Sequence, residues 1–184
     1  MPCVCSPLEA STVRHPDSAA YAEGVSGDGG ALPPLWCCPQ CGRPFANRNQ
    51  AHACGRHELE PLFARSDPVV REIFEAVLSA AQLSGPVTVV PEKTRVALQV
   101  RMSFAAFAPR RRWLDGHVVL ARRLEHPRFV RVDTISPRNH VHAFRLRTPA
   151  DVDSDVEAWL AEAYDVGAQR HLQKPPTGRT ATTA

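Results

Sequence analysis

The spacing of apolar residues changes from a helical to a strand-like pattern near the middle of the chain. Between residues 67 and 85, apolar side chains recur every three or four positions, which predicts an amphipathic helix. Asp67 and Pro68 supply the cap and the first-turn proline of such a helix, and Gly85 with Pro86 ends it. A shorter helix is predicted before it, near residues 58–64. The buried stripe of the longer helix is predicted to be Val70, Ile73, Phe74, Val77, Leu78 and Ala81.

After Pro86 the apolar residues alternate with polar ones, which predicts strands with one buried and one solvated side. About five strands are expected, in the segments VTVV, TRVALQVRMSF, GHVVLARRLE, RFVRVDTI and NHVHAFRLR. The second segment is read as a single strand that buries Val96, Leu98, Val100, Met102 and Phe104 and exposes Arg95, Gln99 and Arg101.

A last helix is predicted to follow Thr148 and Pro149, which can cap it. Together the patterns predict an α+β fold of two layers, in which a mostly antiparallel sheet carries helices on one face. The apolar stripe of this last helix is Val152, Val156, Trp159, Leu160, Ala163 and Tyr164.

The composition divides the chain of 184 residues into four parts. Residues 1–34 are rich in Ser, Gly, Pro and Ala without apolar periodicity, which predicts a disordered leader. Residues 35–57 form a small Cys- and His-rich head, residues 58–172 form the α+β body, and residues 173–184 are predicted to be a disordered tail.

The head contains the segment CCPQCGRPFANRNQAHAC, which has the spacing of a metal site. Cys38 and Cys41 form a Cys-x2-Cys turn, and His52 and Cys54 supply two more soft ligands. Three sulfurs and one nitrogen suit a structural Zn²⁺, because they fill all four tetrahedral positions. Two neighbouring residues offer alternatives for one of these ligands: His57 and Cys37.

The chain contains no run of 18 apolar residues, and its N-terminus lacks the basic start and apolar run of a secretory signal. A membrane span is therefore not expected, and the predicted location is the cytoplasm. In a reducing compartment, clustered cysteines favour metal binding over disulfides.

Positive charge is concentrated in the region of the predicted strands. Between Gly85 and Arg147 there are twelve arginines and one lysine against four acids, which favours an anionic partner such as nucleic acid. A protein partner is the alternative, because zinc heads and acidic helices also serve as protein-binding elements. The predicted nucleic-acid contacts are Arg95, Arg101, Arg110, Arg111, Arg112, Arg122 and Arg123.

Standard catalytic motifs are missing from the sequence: it contains no GxSxG, no HExxH and no phosphate-binding glycine loop. No catalytic residue is therefore predicted. The alternative is an enzyme or small-ligand pocket formed by Lys93, His140 and His142, in which Lys93 stands out because the chain has 20 arginines and two lysines. The two histidines are two residues apart on one strand and share a face.

The head and the strands together resemble a known family. The segments WCCPQCGRPFANRNQAHACG, GPVTVVPEKTRVALQVRMSF and DVDSDVEAWLAEAYDVG are similar to the bacterial domain-of-unknown-function family 5655, in the version with a zinc head. The resemblance implies Cys38, Cys41, His52 and Cys54 as ligands and leaves His57 outside the pattern. Some relatives of the body are fused to restriction-type nuclease domains, which implies a nucleic-acid context by association.

Overall fold

The computed structural model describes residues 32–50, 52 and 54–172. The predicted leader lies outside the described residues except for its last three positions, and so does the predicted tail. In chain order the strands and helices are β1 (Trp36–Cys37), β2 (Pro44–Phe45), α1 (Glu60–Phe63), α2 (Pro68–Gln82), β3 (Thr88–Pro91), β4 (Val96–Gln99), β5 (Ser103–Pro109), β6 (Leu114–Leu120), β7 (Arg131–Ser136), β8 (Asn139–Leu146) and α3 (Ser154–Gly167).

The body is an α+β fold built on a six-stranded sheet in the order β3-β4-β5-β6-β8-β7. All neighbouring strands in it are antiparallel. Helices α2 and α3 pack against each other and against one face of the sheet, where they bury a large apolar cluster. The opposite face is called the open face below. It alternates with the buried one along β6, where Leu114, Val118 and Leu120 point into the core and Asp115 and His117 do not.

Helix α2 confirms the predicted amphipathic pattern. It begins at Pro68 after Asp67, and five of the six predicted stripe residues are buried, while Leu78 packs at the edge of the core. Asp67 makes no side-chain cap hydrogen bond. The chain leaves the helix through Gly85, whose φ of +137° is accessible to glycine at little cost.

The prediction of one strand over residues 94–104 is wrong, because the chain reverses at Val100–Met102 and forms two strands, β4 and β5. The reversal is held by a hydrogen bond of 3.2 Å from the Val100 amide to the Met102 carbonyl. A second bond of 3.0 Å joins the Met102 amide to the Gly167 carbonyl at the end of α3. The sheet therefore has six strands rather than about five.

The predicted start of the last helix is also corrected. Thr148 caps only a single 3-10 turn, Pro149–Asp151, and α3 begins at Ser154. Asp153 is its N-cap, and the Asp153 carboxylate accepts a hydrogen bond from the Val156 amide. The break between the 3-10 turn and α3 is short, so the apolar stripe predicted for the last helix still faces the core.

The head lies against the open face of the sheet. The Gln99 side-chain amide donates a hydrogen bond of 2.7 Å to the Pro44 carbonyl of the head. Close to this contact, a small second apolar cluster of Val90, Ala97 and Ala106 is buried on the face that the helices do not cover. None of the helices in the described part of the chain has the length and apolarity that a membrane crossing requires.

Candidate metal centre and basic groove

The first half of the metal centre is a tight hairpin. Strands β1 and β2 pair Trp36 with Phe45, and the turn between them is closed by hydrogen bonds between the backbone of Cys38 and that of Gly42 and Arg43. Gly42 has a φ of +71°, which a side chain would disfavour. This turn brings the two thiols of the Cys-x2-Cys motif to the same side.

Four side chains converge beside this hairpin. Cys38, Cys41, His52 and Cys54 each offer one ligand atom, and these atoms lie within 4.8 Å of one another. The Cys38 and Cys54 sulfurs are 3.7 Å apart, and His52 Nε2 is 3.3 Å from the sulfurs of Cys41 and Cys54. A tetrahedral ion with the usual bond lengths would separate two sulfurs by about 3.8 Å and a sulfur from a nitrogen by about 3.5 Å. These three separations are close to the edges of a metal-binding tetrahedron, and the Cys38 and Cys54 sulfurs are too far apart for a disulfide.

His52 is oriented by its other ring nitrogen. Nδ1–H donates a hydrogen bond of 2.7 Å to the Gln50 carbonyl, so the lone pair of Nε2 faces the sulfurs. Metal-binding histidines are commonly held in this way. The buried Phe45 ring packs on the imidazole at 4.3 Å between ring centroids, and Trp36 packs on Phe45 at 6.1 Å. These rings form the small core of the head.

The surroundings of Cys41 and Cys54 shift the pKa values of their thiols in opposite directions. Burial raises the pKa of Cys41, but hydrogen bonds from the Arg43 backbone and side chain, and from His52, lower it to about 6. Burial and the adjacent Cys38 sulfur raise the pKa of Cys54 to about 11. Of these two thiols, only Cys54 therefore keeps its proton near neutral pH when no cation is bound. A bound cation would remove that proton, because coordination requires the thiolate.

The two alternative ligands do not join this cluster. His57 and Cys37 both lie outside the group of ligand atoms found among the described residues. His57 instead lines a cleft between the head and the β3–β4 turn. The described structure thus favours the ligand set that includes His52 and Cys54.

The open face of the sheet carries a basic groove, a cleft of about 720 Å³. Small side chains, Ala106, Ala108 and Ala143, form part of its floor. Four arginines line the groove and come from four parts of the chain, namely the start of β4, the β5–β6 turn, β7 and β8: Arg95, Arg110, Arg131 and Arg145.

Asp115 holds two of these arginines in place. Its carboxylate accepts hydrogen bonds of 2.9 Å from both Arg110 and Arg145 and one of 3.0 Å from the Trp113 indole. Although partial burial raises the pKa of Asp115, the two guanidinium groups lower it below its ordinary value. Arg145 also lies over the Trp113 ring, 4.4 Å from its centroid. One negative charge thus positions two positive ones beside an aromatic ring.

The fold places only some of the arginines predicted to contact nucleic acid in or beside the basic groove. Arg95 and Arg110 line the basic groove, and Arg111 and Arg112 are exposed on the turn beside it. The other three point elsewhere. Arg122 makes two hydrogen bonds to Glu162 of α3, Arg101 binds Gln169 and the Pro33 carbonyl, and Arg123 donates to the Val132 carbonyl.

The predicted pocket of Lys93, His140 and His142 does not form. Lys93 lies in the β3–β4 turn, and three strands separate β3 from β8, which holds both histidines. His142 is fully buried, with Nδ1–H donating to the His140 carbonyl and Nε2 accepting from the Leu124 amide. His140 contacts Thr134 at 3.0 Å. The two histidines face the core because they continue the buried side of β8 with Phe144 and Leu146.

One residue of the groove was missed from the sequence. His117 points from β6 to the open face and lines the groove at the centre of the sheet. Burial, then Arg95 and to a smaller extent Arg131, lower the pKa of His117, against an opposing effect of Glu92. The alternation of β6 could have indicated its exposed side, but the arginines around it come from distant strands.

The comparisons identify the body but not its activity. No curated protein and no solved structure matched the chain. One family, described as a domain of unknown function, DUF5655, matched residues 60–167, so the metal centre lies upstream of the matched segment. Because the matched segment covers more than half of the chain, the chain belongs to the DUF5655 family.

Proposed function

We propose that the protein is a noncatalytic binding domain of the cytoplasm, stabilised by a structural zinc ion, and that its partner is nucleic acid. The observation that carries the proposal is the basic groove on the open face of the sheet, where four arginines converge around small side chains. The α+β body builds this surface, and the metal head lies beside it on the same face of the sheet.

The ligand set supports zinc as the metal. Three thiolates and one imidazole are soft donors that suit Zn²⁺, and together they complete a tetrahedron. No coordination position is then left for water or substrate, which supports a structural role. Cys38, Cys41, His52 and Cys54 would hold the ion.

The charges of the groove support an anionic partner. Glu92 and Asp133 pair with Arg95 and Arg131, but the side chains of both pairs are at least 37% exposed to solvent. Such pairs contribute little stability, so a phosphate can compete for the guanidinium groups. Arginine offers phosphate two parallel hydrogen bonds, and Trp113 and His117 provide flat rings near the arginines.

The test is a salt series with labelled single-stranded DNA, duplex DNA and RNA, followed by fluorescence anisotropy. Log Kd is expected to rise with log salt at a slope of about 0.7 to 0.9 for each phosphate contacted, giving a slope of about 2 to 4 for this groove. Replacing Arg131 and Arg145 by Gln should reduce the slope by about 1 to 2 units and weaken binding on every sequence alike.

Arg71→Gln is the matched control, because Arg71 lies on α2, on the other side of the sheet, and pairs with Glu60 and Glu75. It removes the same charge without touching the groove. Absence of saturable binding at low salt, or equal losses for the groove variants and the control, would remove nucleic acid as the partner.

A protein partner is the second candidate, favoured by one observation. Strand β7 is an edge of the sheet, and Ile135 within it and Val130 beside it are 70% and 73% exposed. An edge strand with exposed apolar residues can accept a strand from another protein. Replacing Ile135 by Ser should weaken such an interaction and, because it changes no charge, leave nucleic-acid binding unchanged.

A further inference from the structure

A second cleft, of about 490 Å³, lies between the metal head and the β3–β4 turn. We call it the head cleft. The head contributes Phe45 and His57 to its wall, and the body contributes Lys93, Thr94 and Arg95. Its volume lies in the range of sites for one small ligand, so it has room for an end of a single strand but not for a duplex.

The head cleft is lined by positive charge. Among the residues that the structure describes, neither Lys93 nor His57 takes part in an ion pair, whereas Arg95 pairs with Glu92. Arg43 adds a further positive charge and lies over the Phe45 ring, 5.7 Å from its centroid. The cleft therefore combines several cations with one carboxylate, which suits a ligand that carries more than one negative charge.

The head cleft adjoins the basic groove. Thr94 and Arg95 line both, so a ligand in the groove can pass from one to the other along the start of β4. The head forms the far side of this path, because it lies on the open face at the Gln99–Pro44 contact, beside the buried patch of Val90 and Ala97. A strand that lies in the groove can thus place its end among the cations of the head cleft.

We propose that the head cleft binds the terminal phosphate monoester of a single-stranded nucleic acid whose chain lies in the basic groove. The inference rests on the proposed function, since it requires that nucleic acid occupies the groove. Lys93 is the main contact in the cleft, with His57 on the opposite wall.

Charge distinguishes a strand end from the rest of the strand. A phosphodiester within the chain carries one negative charge, whereas a phosphate monoester carries between about 1.5 and 2 at neutral pH. A compact ammonium group such as that of Lys93 binds phosphate as a point charge and gains from the extra charge.

The experiment compares Kd values for four versions of one single-stranded oligonucleotide, which carry a phosphate or a hydroxyl at the 5′ or the 3′ end. Anisotropy is measured on the full chain in its metal-bound form at constant salt. One phosphorylated end is expected to bind roughly tenfold more tightly than its hydroxyl counterpart. Lys93→Gln should remove most of this ratio, and His57→Gln should reduce it.

The ratio between phosphorylated and unphosphorylated ends is the deciding quantity. Arg65→Gln is the control for lost charge, because Arg65 is exposed between α1 and α2 and lines neither cleft, and it should leave the ratio unchanged. Equal binding of all four oligonucleotides, or a Lys93→Gln variant that weakens them all equally, would overturn the end-binding site and leave the proposed function standing. If none of the four binds, both proposals fail.

Discussion

The side-chain amide of Gln99 and the carbonyl of Pro44 are joined by a hydrogen bond of 2.7 Å that links the sheet to the metal head. Gln99 is only 5% exposed although it lies on the face opposite the helices. The two residues are 55 positions apart in the chain, so this bond belongs to the tertiary structure and not to a local turn. It attaches the head beside the head cleft, which Gln99 also lines.

Replacing Gln99 by Met should loosen the head without unfolding the body. The substitution keeps the length of the side chain but leaves the Pro44 carbonyl without its partner, at a cost of about 1 to 3 kcal/mol. Hydrogen exchange should accelerate in residues 36–45, while exchange in β5 and β6 stays slow.

The matched control for this prediction is Gln82→Met at the exposed end of α2. It should leave exchange in the head unchanged. Unchanged exchange in the head of the Gln99 variant as well would mean that the head is held by other contacts.

Metal content should depend on Cys41 and not on its neighbours outside the cluster. Purified protein is expected to contain about one zinc ion per chain, and Cys41→Ser should lose it, because a hydroxyl is a far poorer zinc ligand than a thiolate. Elemental analysis gives the metal content directly. Chelation should accelerate exchange in the head and leave the core of the body protected.

Cys37→Ser and His57→Gln are the controls for the metal site, since both residues lie outside the cluster. Each should retain the full metal content. Loss of metal from either variant would mean that the replaced residue is itself a ligand. A metal other than zinc would change the identity of the ion but not the site.

The metal head was predictable because its ligands lie within 17 consecutive residues and their spacing alone forces them together. The helices were predictable because their apolar stripes also repeat within a short stretch of the chain, as the stripe of α2 shows. The reversal at Val100–Met102 was not, because it contains no glycine, proline or asparagine. It depends on the bond from the Met102 amide to the Gly167 carbonyl, 65 residues away.

The groove and the head cleft could not be derived from the sequence for a similar reason. Arg95 and Arg131 share one surface only because β6 and β8 lie where they do in the sheet. Lys93 does not meet His140 and His142, which the sequence had grouped with it, because both histidines are buried on the helix side of the sheet. Residue types indicated the chemistry, but the strand order and the face of each strand decided which residues meet.

His142 should make the fold sensitive to acid. Burial lowers the pKa of His142 in the folded protein, with a smaller opposing contribution from the hydrogen bond that Nδ1–H donates to the His140 carbonyl. Below the ordinary histidine pKa of about 6.5, the unfolded chain therefore takes up a proton that the folded protein does not. The free energy of unfolding should then fall between about pH 7 and pH 5, by at most about 1.4 kcal/mol for each pH unit.

Urea unfolding at several pH values checks this prediction, with His142→Gln as the comparison. The variant is less stable at pH 7 because it loses packing, but its stability should depend less on pH than that of the unaltered protein. His117 and the metal ligands remain in both proteins, so the difference in slope isolates His142. Identical slopes would show that His142 takes up no additional proton on unfolding.

Gly167→Ala should destabilise the protein, although alanine normally favours a helix over glycine by about 1 kcal/mol. Gly167 is the last residue of α3, and a Cβ there would lie 2.8 Å from Phe104 Cβ and 3.1 Å from the Met102 carbonyl oxygen. Both neighbours are fixed by the β4–β5 turn, so neither can move away easily. Overpacking of this kind costs about 1 to 3 kcal/mol, which exceeds the gain in helix propensity.

The sign of the change decides this prediction, and urea unfolding measures it. Gly55→Ala is the control, because the nearest atom to a Cβ at Gly55 lies 3.9 Å away, at ordinary contact distance. It should leave stability nearly unchanged. If Gly167→Ala were more stable than the original protein, the turn at Val100–Met102 would be free to move away from α3. The reversal between β4 and β5 would then be fixed by something other than the close packing of the helix end on that turn.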